Sequence, residues 1–200
     1  EVLGVAMRTG GEFAEVFAED RRNASAVLDD GRVEELTSGR DRGAGIRVVV
    51  GETTGFAHTA DLSEAGLIAA AQAAAAAARG GGGGTNVVAL HRGTSSRGYD
   101  IETFPGDVPK ARKVELLTRA DEAARSVGDA ISQVSVSYGD NRRRILVANS
   151  DGVFVEDDTV RTFFAVSCVV TGDTGMQTGR ESVGHTVGFE LFDMYEIDQL

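Results

Sequence analysis

Residues 30–53 read DGRVEELTSGRDRGAGIRVVVGET, and residues 151–174 read DGVFVEDDTVRTFFAVSCVVTGDT. The two stretches lie 121 residues apart and share nine identities in 24 aligned positions without a gap. Each begins with Asp-Gly, the pair that a tight hairpin turn favours, and each continues into an apolar run typical of a strand. The sequence therefore indicates an internal duplication. Two β-meanders that converged on the same turn and strand composition are the alternative.

The residues around these stretches extend each copy. Strands are predicted over 13–19, 25–28, 33–36, 46–50 and 56–59, and again over 134–138, 145–149, 153–156 and 163–171. One helix is predicted over 62–79, opened by Asp61 with Glu64 three residues later. A second is predicted from Asp107 through Val127, and residues 1–8 are expected to be the end of a third. The fold class is therefore α+β, with a helix plus an antiparallel β-meander occurring twice.

Five consecutive glycines, at 80–84, lie between the two copies. A tract of this kind is costly to order, so residues 80–107 are interpreted as a Gly-rich linker. A phosphate-binding loop is disfavoured because no lysine follows the glycines. The expected organisation is a first repeat at 1–79, the linker at 80–107 and a second repeat at 108–200, which together form one N-terminal domain of a larger protein.

Composition excludes several classes of protein. With 200 residues, of which 42% are hydrophobic, the chain can form a sizeable core. A net charge of −11 argues against direct binding to nucleic acid. The longest apolar stretch, at 67–78, is too short and too alanine-rich for a membrane span, and no secretory leader precedes it. We therefore expect a cytoplasmic protein, in which the single Cys168 is an ordinary buried thiol.

Several strings resemble the N-terminal domain of the TldD/PmbA family. In the first copy they are LDDGRVEEL at 28–36, GAGIRVVVG at 43–51 and TGFAHTADLS at 54–63. In the second copy they are VELLTRADEAAR at 114–125, ANSDG at 148–152 and GRES at 179–182, which are more similar to the TldD branch. The resemblance covers essentially the whole chain.

The resemblance implies a zinc metallopeptidase, once named a modulator of DNA gyrase. It also implies a complex of two related subunits, as a homo- or heterodimer, acting on unfolded or peptide substrates. The family's zinc ligands belong to a His-Glu-x-x-x-His motif in a later, C-terminal domain. This chain contains no His-Glu pair, and His58, His91 and His185 are isolated in sequence. We therefore predict no catalytic residue and no metal ligand in this segment, and zinc in the C-terminal domain of the parent protein.

Two roles are open for a segment of this kind. The first is substrate handling, with Gly179, Arg180, Glu181 and Ser182 as the residues that contact a peptide, because a glycine-containing segment lets another backbone approach and an arginine can meet a carboxylate or carbonyl. A surface loop with an ion pair is the alternative reading of these four residues. The second role is a non-catalytic module for subunit assembly. A gyrase-modulating interaction protein is a further possibility, although the negative charge disfavours contact with DNA.

Overall fold

The computed structural model describes residues 1–78, 89–94, 100–173 and 175–199. Its helices and strands are, in chain order, α1 Val2–Met7, β1 Phe13–Asp29, β2 Arg32–Val50, β3 Thr53–Thr59, α2 Glu64–Ala77, β4 His91–Thr94, α3 Lys110–Ser126, β5 Ile131–Asn149, β6 Val153–Gly172, β7 Gly175–His185 and α4 Leu191–Met194. Short 3-10 turns lie at Pro105–Asp107 and Ile197–Gln199. The α+β class predicted from the sequence is confirmed.

One seven-stranded sheet contains all the strands of the described residues, in the order β3-β2-β1-β5-β6-β4, with β7 also paired to β6. β2 pairs antiparallel with β3, and β6 pairs antiparallel with β7. β4 is the exception to the antiparallel pattern, because it runs parallel to β6 over four residues. Each copy thus supplies a helix followed by two long strands and a shorter third strand, which confirms the duplication at the level of elements.

The residue-by-residue offset of 121 does not hold along the strands. Ile46 is fully buried in β2, whereas Ser167, 121 positions later, alternates with the buried Phe164 and Val166 and faces the other side of β6. A shift of one residue exchanges the two faces of a strand, so the two copies are related here by an even offset.

The strands are longer than the sequence predicted. The two strands expected over 13–19 and 25–28 form one strand, β1, and those expected over 33–36 and 46–50 form one strand, β2. The polar residues between the expected strands interrupt the apolar pattern without interrupting the backbone ladder. Such residues are compatible with a strand wherever both its faces meet water.

Two helix starts also differ from prediction. Asp61 does not cap α2; the Ser63 hydroxyl accepts a hydrogen bond from the Gly66 amide at 3.2 Å, and the Asp61 carboxylate instead accepts from the Ser63 amide at 2.9 Å. Asp107 lies in a 3-10 turn, and α3 begins only after Pro109. Because proline disfavours helical geometry in the residue before it, the helix starts beyond this point.

Two clusters of buried residues form the core. The first packs α1 and α2 on the beginning of β1 and the end of β2, and the second packs α3 on the end of β1, the beginning of β5 and the end of β6. The buried residues of α2 are all alanines. Gly55 on β3 explains why they suffice: a Cβ there would lie 2.0 Å from the Ala74 carbonyl oxygen, so the helix backbone packs directly on the strand.

Two compact units divide the chain: one contains residues 1–21, 40–97 and 143–158, and the other contains 22–39, 98–142 and 159–200. Each therefore draws on both sequence copies. The boundaries expected from sequence, 1–79, 80–107 and 108–200, stay a prediction about how the chain is organised. Within the expected linker, the glycine tract at 80–84 lies outside the described residues, and His91–Thr94 forms β4. No helix among the described residues is both long enough and apolar enough to cross a membrane.

Candidate functional site

The four residues predicted to contact substrate lie in the middle of β7, which is a strand and not a loop. Gly179, Arg180, Glu181 and Ser182 stand opposite Cys168, Ser167, Val166 and Ala165 of β6, respectively. Successive residues of a strand point to opposite faces, so Arg180 and Ser182 share one face, whereas Gly179 and Glu181 share the other. The ion pair of the alternative reading is therefore not formed between Arg180 and Glu181.

β7 presents its backbone and its side chains to solvent. It pairs with β6 alone among the strands of the described ranges, and ten of its eleven residues are exposed. A Cβ added at Gly179 would meet no atom within 4 Å, so packing does not require glycine at this position. The open side of β7 can therefore accept an extended backbone, with Arg180 able to reach across one face of the sheet.

The three histidines lie apart. His58 on β3 stacks on Phe56 with 6.3 Å between ring centroids, His91 lies on β4, and the His185 Nε2 lies 2.6 Å from the Tyr195 hydroxyl. Glu181 and His185 are four residues apart on a strand, a separation of roughly 13 Å along the backbone. Among the described residues, no three His, Cys, Asp or Glu side chains are grouped so that they could hold a metal ion.

A groove of about 680 Å³ in the first unit was not predicted from the sequence. It lies on the face of β1, β2 and β3 that α2 leaves uncovered, and its floor is bare because β2 carries Gly43 and Gly45 there. A Cβ at Gly45 would lie 3.0 Å from the Phe56 ring, so the ring rests over the glycine. The Gly-x-Gly of β2 next to the Phe-x-His of β3 is the sequence signal that could have indicated this groove.

Charges of both signs line the groove. Arg47 lies 3.3 Å from the Glu15 carboxylate, and its guanidinium lies 5.6 Å from the centroid of the Phe13 ring. Arg21 lies 3.6 Å from Asp41. Phe56 is 61% exposed, which is unusual for a side chain of its size. An exposed aromatic ring flanked by ion pairs can stack on a flat group of a ligand. The charged side chains can then form hydrogen bonds with the polar edge of that group.

A buried charged cluster ties α3 to β5 in the second unit. The Lys113 ammonium donates to the Asp140 carboxylate at 2.7 Å, and the Tyr138 hydroxyl donates to the same oxygen at 2.7 Å. The side chains of Lys113 and Asp140 are only 6% and 8% exposed. Burial, together with the hydrogen bond to Asp140, holds the pKa of Tyr138 far above its ordinary value. The tyrosine therefore stays protonated and acts as a donor.

The single thiol has the environment of a packing residue. Cys168 is partly buried on β6, and burial raises its pKa above the ordinary value, although Arg125 lowers it. A nucleophilic cysteine needs the opposite shift. This arrangement agrees with the expectation that Cys168 is an ordinary core residue.

Glu190 anchors the segment that follows β7. Its carboxylate accepts from the Gly188 amide at 2.7 Å and from the Thr103 amide at 3.0 Å. Burial alone would raise the pKa of Glu190, but bonds from backbone amides, Gly188 first, lower it below the ordinary value. A Cβ at Gly188 would lie 2.2 Å from the Thr103 carbonyl oxygen, so this close approach requires glycine.

Family comparisons match nearly the whole chain. Residues 14–78 match the family described as PmbA/TldA metallopeptidase domain 1, and residues 104–199 match the PmbA/TldA metallopeptidase central domain. The fold and these matches define the first two regions of a metallopeptidase-family protein. The chain belongs to the TldD/PmbA family, which confirms the resemblance derived from its sequence.

Two individual relatives agree with this family assignment. A metalloprotease of Methanothermobacter thermautotrophicus is 34% identical over 193 residues, with 94% of this chain and 41% of the relative covered. A metalloprotease TldD homolog of Haemophilus influenzae is 26% identical over 190 residues, with 90% and 38% covered. The chain thus spans about two fifths of the length of the curated relatives it matches.

Solved structures share the fold at low identity. A candidate modulator of DNA gyrase from Thermotoga maritima superimposes with a TM-score of 0.78 at 16% identity, covering 99% of this chain and 44% of that chain. TldE from Thermococcus kodakarensis gives a TM-score of 0.71 at 14% identity, covering 92% and 42%. At these identities the likeness establishes the fold.

Proposed function

We propose that this chain is the substrate-handling region of a TldD-like zinc metallopeptidase that acts on unfolded proteins or peptides. Its membership of the TldD/PmbA family supports the class of enzyme. The described donor set does not fit zinc, because the three histidines lie on three different strands and no group of three ligands forms. We therefore assign no catalytic step to a residue of this chain and place the zinc chemistry in the remainder of the parent protein.

The open edge of β7 is the observation that carries the proposal. An extended polypeptide can add to such an edge as a further strand, with main-chain hydrogen bonds supplying affinity and alternate side chains supplying selectivity. A folded protein has few extended segments with unpaired backbone, so the edge selects unfolded chains. Arg180 adds a charged donor to a carboxylate or carbonyl of the bound peptide.

Binding of an unfolded polypeptide to the 200-residue chain tests the proposal. We expect fluorescence anisotropy to show binding of labelled, reduced and carboxymethylated α-lactalbumin and none of the native, folded form. Arg180→Ala should weaken binding about tenfold, the loss expected for one charge-assisted hydrogen bond. Arg8→Ala, which removes an exposed arginine just after α1, is the matched control. Equal affinities for the folded and unfolded forms would refute the proposal.

Subunit assembly is the second candidate function. The solved TldE structure and the TldD homologs make a related subunit, in a homo- or heterodimer, the natural partner to propose. Light scattering distinguishes the two functions: a stable dimer or a complex with the related subunit supports assembly, and a monomer that binds unfolded polypeptide supports substrate handling alone. The two functions are compatible.

A gyrase-modulating interaction rests on the name of the Thermotoga maritima protein. Direct contact with DNA is disfavoured by the net charge of −11, because a surface of this sign repels phosphate. Salt-dependent DNA binding by the chain would revive this alternative.

A further inference from the structure

The first part of β2 is an open strand edge. β3 pairs with β2 only over residues 44–50, so residues 32–42 have no strand on that side within the described part of the chain. All eleven of these residues are exposed, on both faces of the strand. β2 therefore leaves a row of backbone donors and acceptors unpaired over roughly 35 Å.

Six of the eleven residues of this edge are charged, but two other devices that keep open strands apart, proline and a short length, are absent from it. Val33 and Leu36 are 44% and 38% exposed, and because they are three residues apart they lie on opposite faces. The segment contains no proline and is long, so it can template another strand. A strand with both faces and one edge in water is stabilised when a partner covers it.

The corresponding part of the second copy, residues 153–163, is covered at both of its ends. β6 follows its Asp-Gly turn as β2 follows its own, but β4 occupies its outer edge over 153–156 and β7 occupies it over 162–172. An ion pair between Arg92 and Glu156 accompanies the β4 contact. The fold therefore supplies a strand to this edge in one copy, and the described chain supplies none in the other.

We infer that residues 32–42 of β2 pair antiparallel with the same residues of a second copy of this chain. The inference deepens the assembly part of the proposed function and rests on it. Charge favours this partner and this direction: residues 32–36 have a net charge of −1 from Arg32, Glu34 and Glu35, whereas residues 38–42 have a net charge of +1 from Arg40, Asp41 and Arg42. Antiparallel pairing places each acidic half beside the basic half of the other copy, whereas parallel pairing would oppose like charges.

Inverting the charge of each half tests the inference. In the basic variant, Glu34→Arg is combined with Glu35→Arg; in the acidic variant, Arg40→Glu is combined with Arg42→Glu. We expect light scattering to show a dimer for the unmodified chain, monomers for each variant alone and a heterodimer when the two are mixed. Circular dichroism checks that both variants fold, because the acidic variant loses the ion pair between Arg40 and Asp20.

A control variant distinguishes a charge effect at this edge from an effect of net charge alone. Glu52→Arg combined with Glu122→Arg changes the net charge by the same amount on exposed residues outside β2 and should leave the dimer intact. The inference is overturned if the unmodified chain is a monomer at 100 μM. It is also overturned if both charge-inverted variants remain dimers and mixing them yields no heterodimer.

Cross-linking locates the contact independently. In a Cys168→Ala background, Thr37→Cys lies on the expected twofold axis, where antiparallel Cα atoms come close enough for a disulfide. It should give a dimer on non-reducing gels, and Thr178→Cys on β7 should not. A charge-inverted monomer that still binds unfolded α-lactalbumin would confirm that assembly and substrate handling are separate. Unfolded α-lactalbumin that protects Thr37→Cys from labelling, with no dimer formed, would show that β2 binds peptide and overturn the inference.

Discussion

The buried cluster of Lys113, Asp140 and Tyr138 allows a quantitative prediction. Replacing Asp140 by Asn keeps an acceptor for the Tyr138 hydroxyl but removes the counter-charge from an ammonium group that is only 6% exposed. A buried charge left without its partner costs about 3–5 kcal/mol. Because the asparagine oxygen can still accept a bond from Lys113, we expect the lower value, ~3 kcal/mol, for Asp140→Asn.

A double-mutant cycle isolates the interaction. Lys113→Met leaves the Asp140 carboxylate buried with one donor, so it should also cost ~3 kcal/mol. The double variant carries neither charge and still satisfies Tyr138, so it should lose only ~1 kcal/mol. The free energies of unfolding would come from urea titrations followed by circular dichroism, with hydrogen exchange of α3 as a local probe.

Additivity would refute this reasoning. If the double variant lost about 6 kcal/mol, the sum of the single losses, the two side chains would act independently and the cluster would not be a buried ion pair. Tyr138→Phe is the matched control. It removes one hydroxyl but leaves both charges, and it should cost about 1 kcal/mol.

Three further predictions concern single positions. Gly55→Val should destabilise the chain by at least about 3 kcal/mol, because its Cβ would overlap the Ala74 carbonyl oxygen; an unchanged melting temperature would contradict the packing of α2 on β3. Glu190→Gln should cost about 1–3 kcal/mol at pH 7. Because folding lowers the pKa of Glu190, its stabilisation is present above the ordinary value of 4.5 and is lost as the pH falls through the folded pKa, so the two proteins should converge in acid; a pH-independent difference would argue against the bonds from Gly188 and its neighbours. Cys168 should react with iodoacetamide at pH 8 at least about tenfold more slowly in the folded chain than in urea, because burial raises the pKa of its thiol; equal rates would show an exposed thiolate.

The part of the fold that could be predicted from the sequence is the part set by turn residues and by the local pattern of apolar residues. Asp30 and Gly31 adopt φ angles of 48° and 75°, the left-handed backbone that an Asp-Gly hairpin turn requires. The apolar runs around this turn then identified the strands on either side. Local chemistry of this kind does not depend on distant residues, so it can be recognised in one sequence.

The features that could not be predicted from the sequence depend on contacts between residues far apart in the chain. β4 has four residues and no apolar pattern, and it is a strand because β6 presents an edge to it. The groove beside Phe56 requires Gly45 of β2 to lie under a ring of β3; the Gly-x-Gly and Phe-x-His strings are visible in the sequence, but the register that brings them together is a property of the folded sheet. The predicted substrate contacts at 179–182 lie on an open edge, but no single-sequence pattern separates an edge strand from a central one.

The second core joins segments that lie far apart in the sequence. Ala26 and Leu28 pack in it together with Phe164 and Ile197. On the ribosome, the first hairpin must therefore wait, with its apolar face uncovered, until the chain has been made as far as Ile197. Such long-range closure slows folding, and it means that a fragment beginning after the glycine tract would lack two of the side chains that complete its interior.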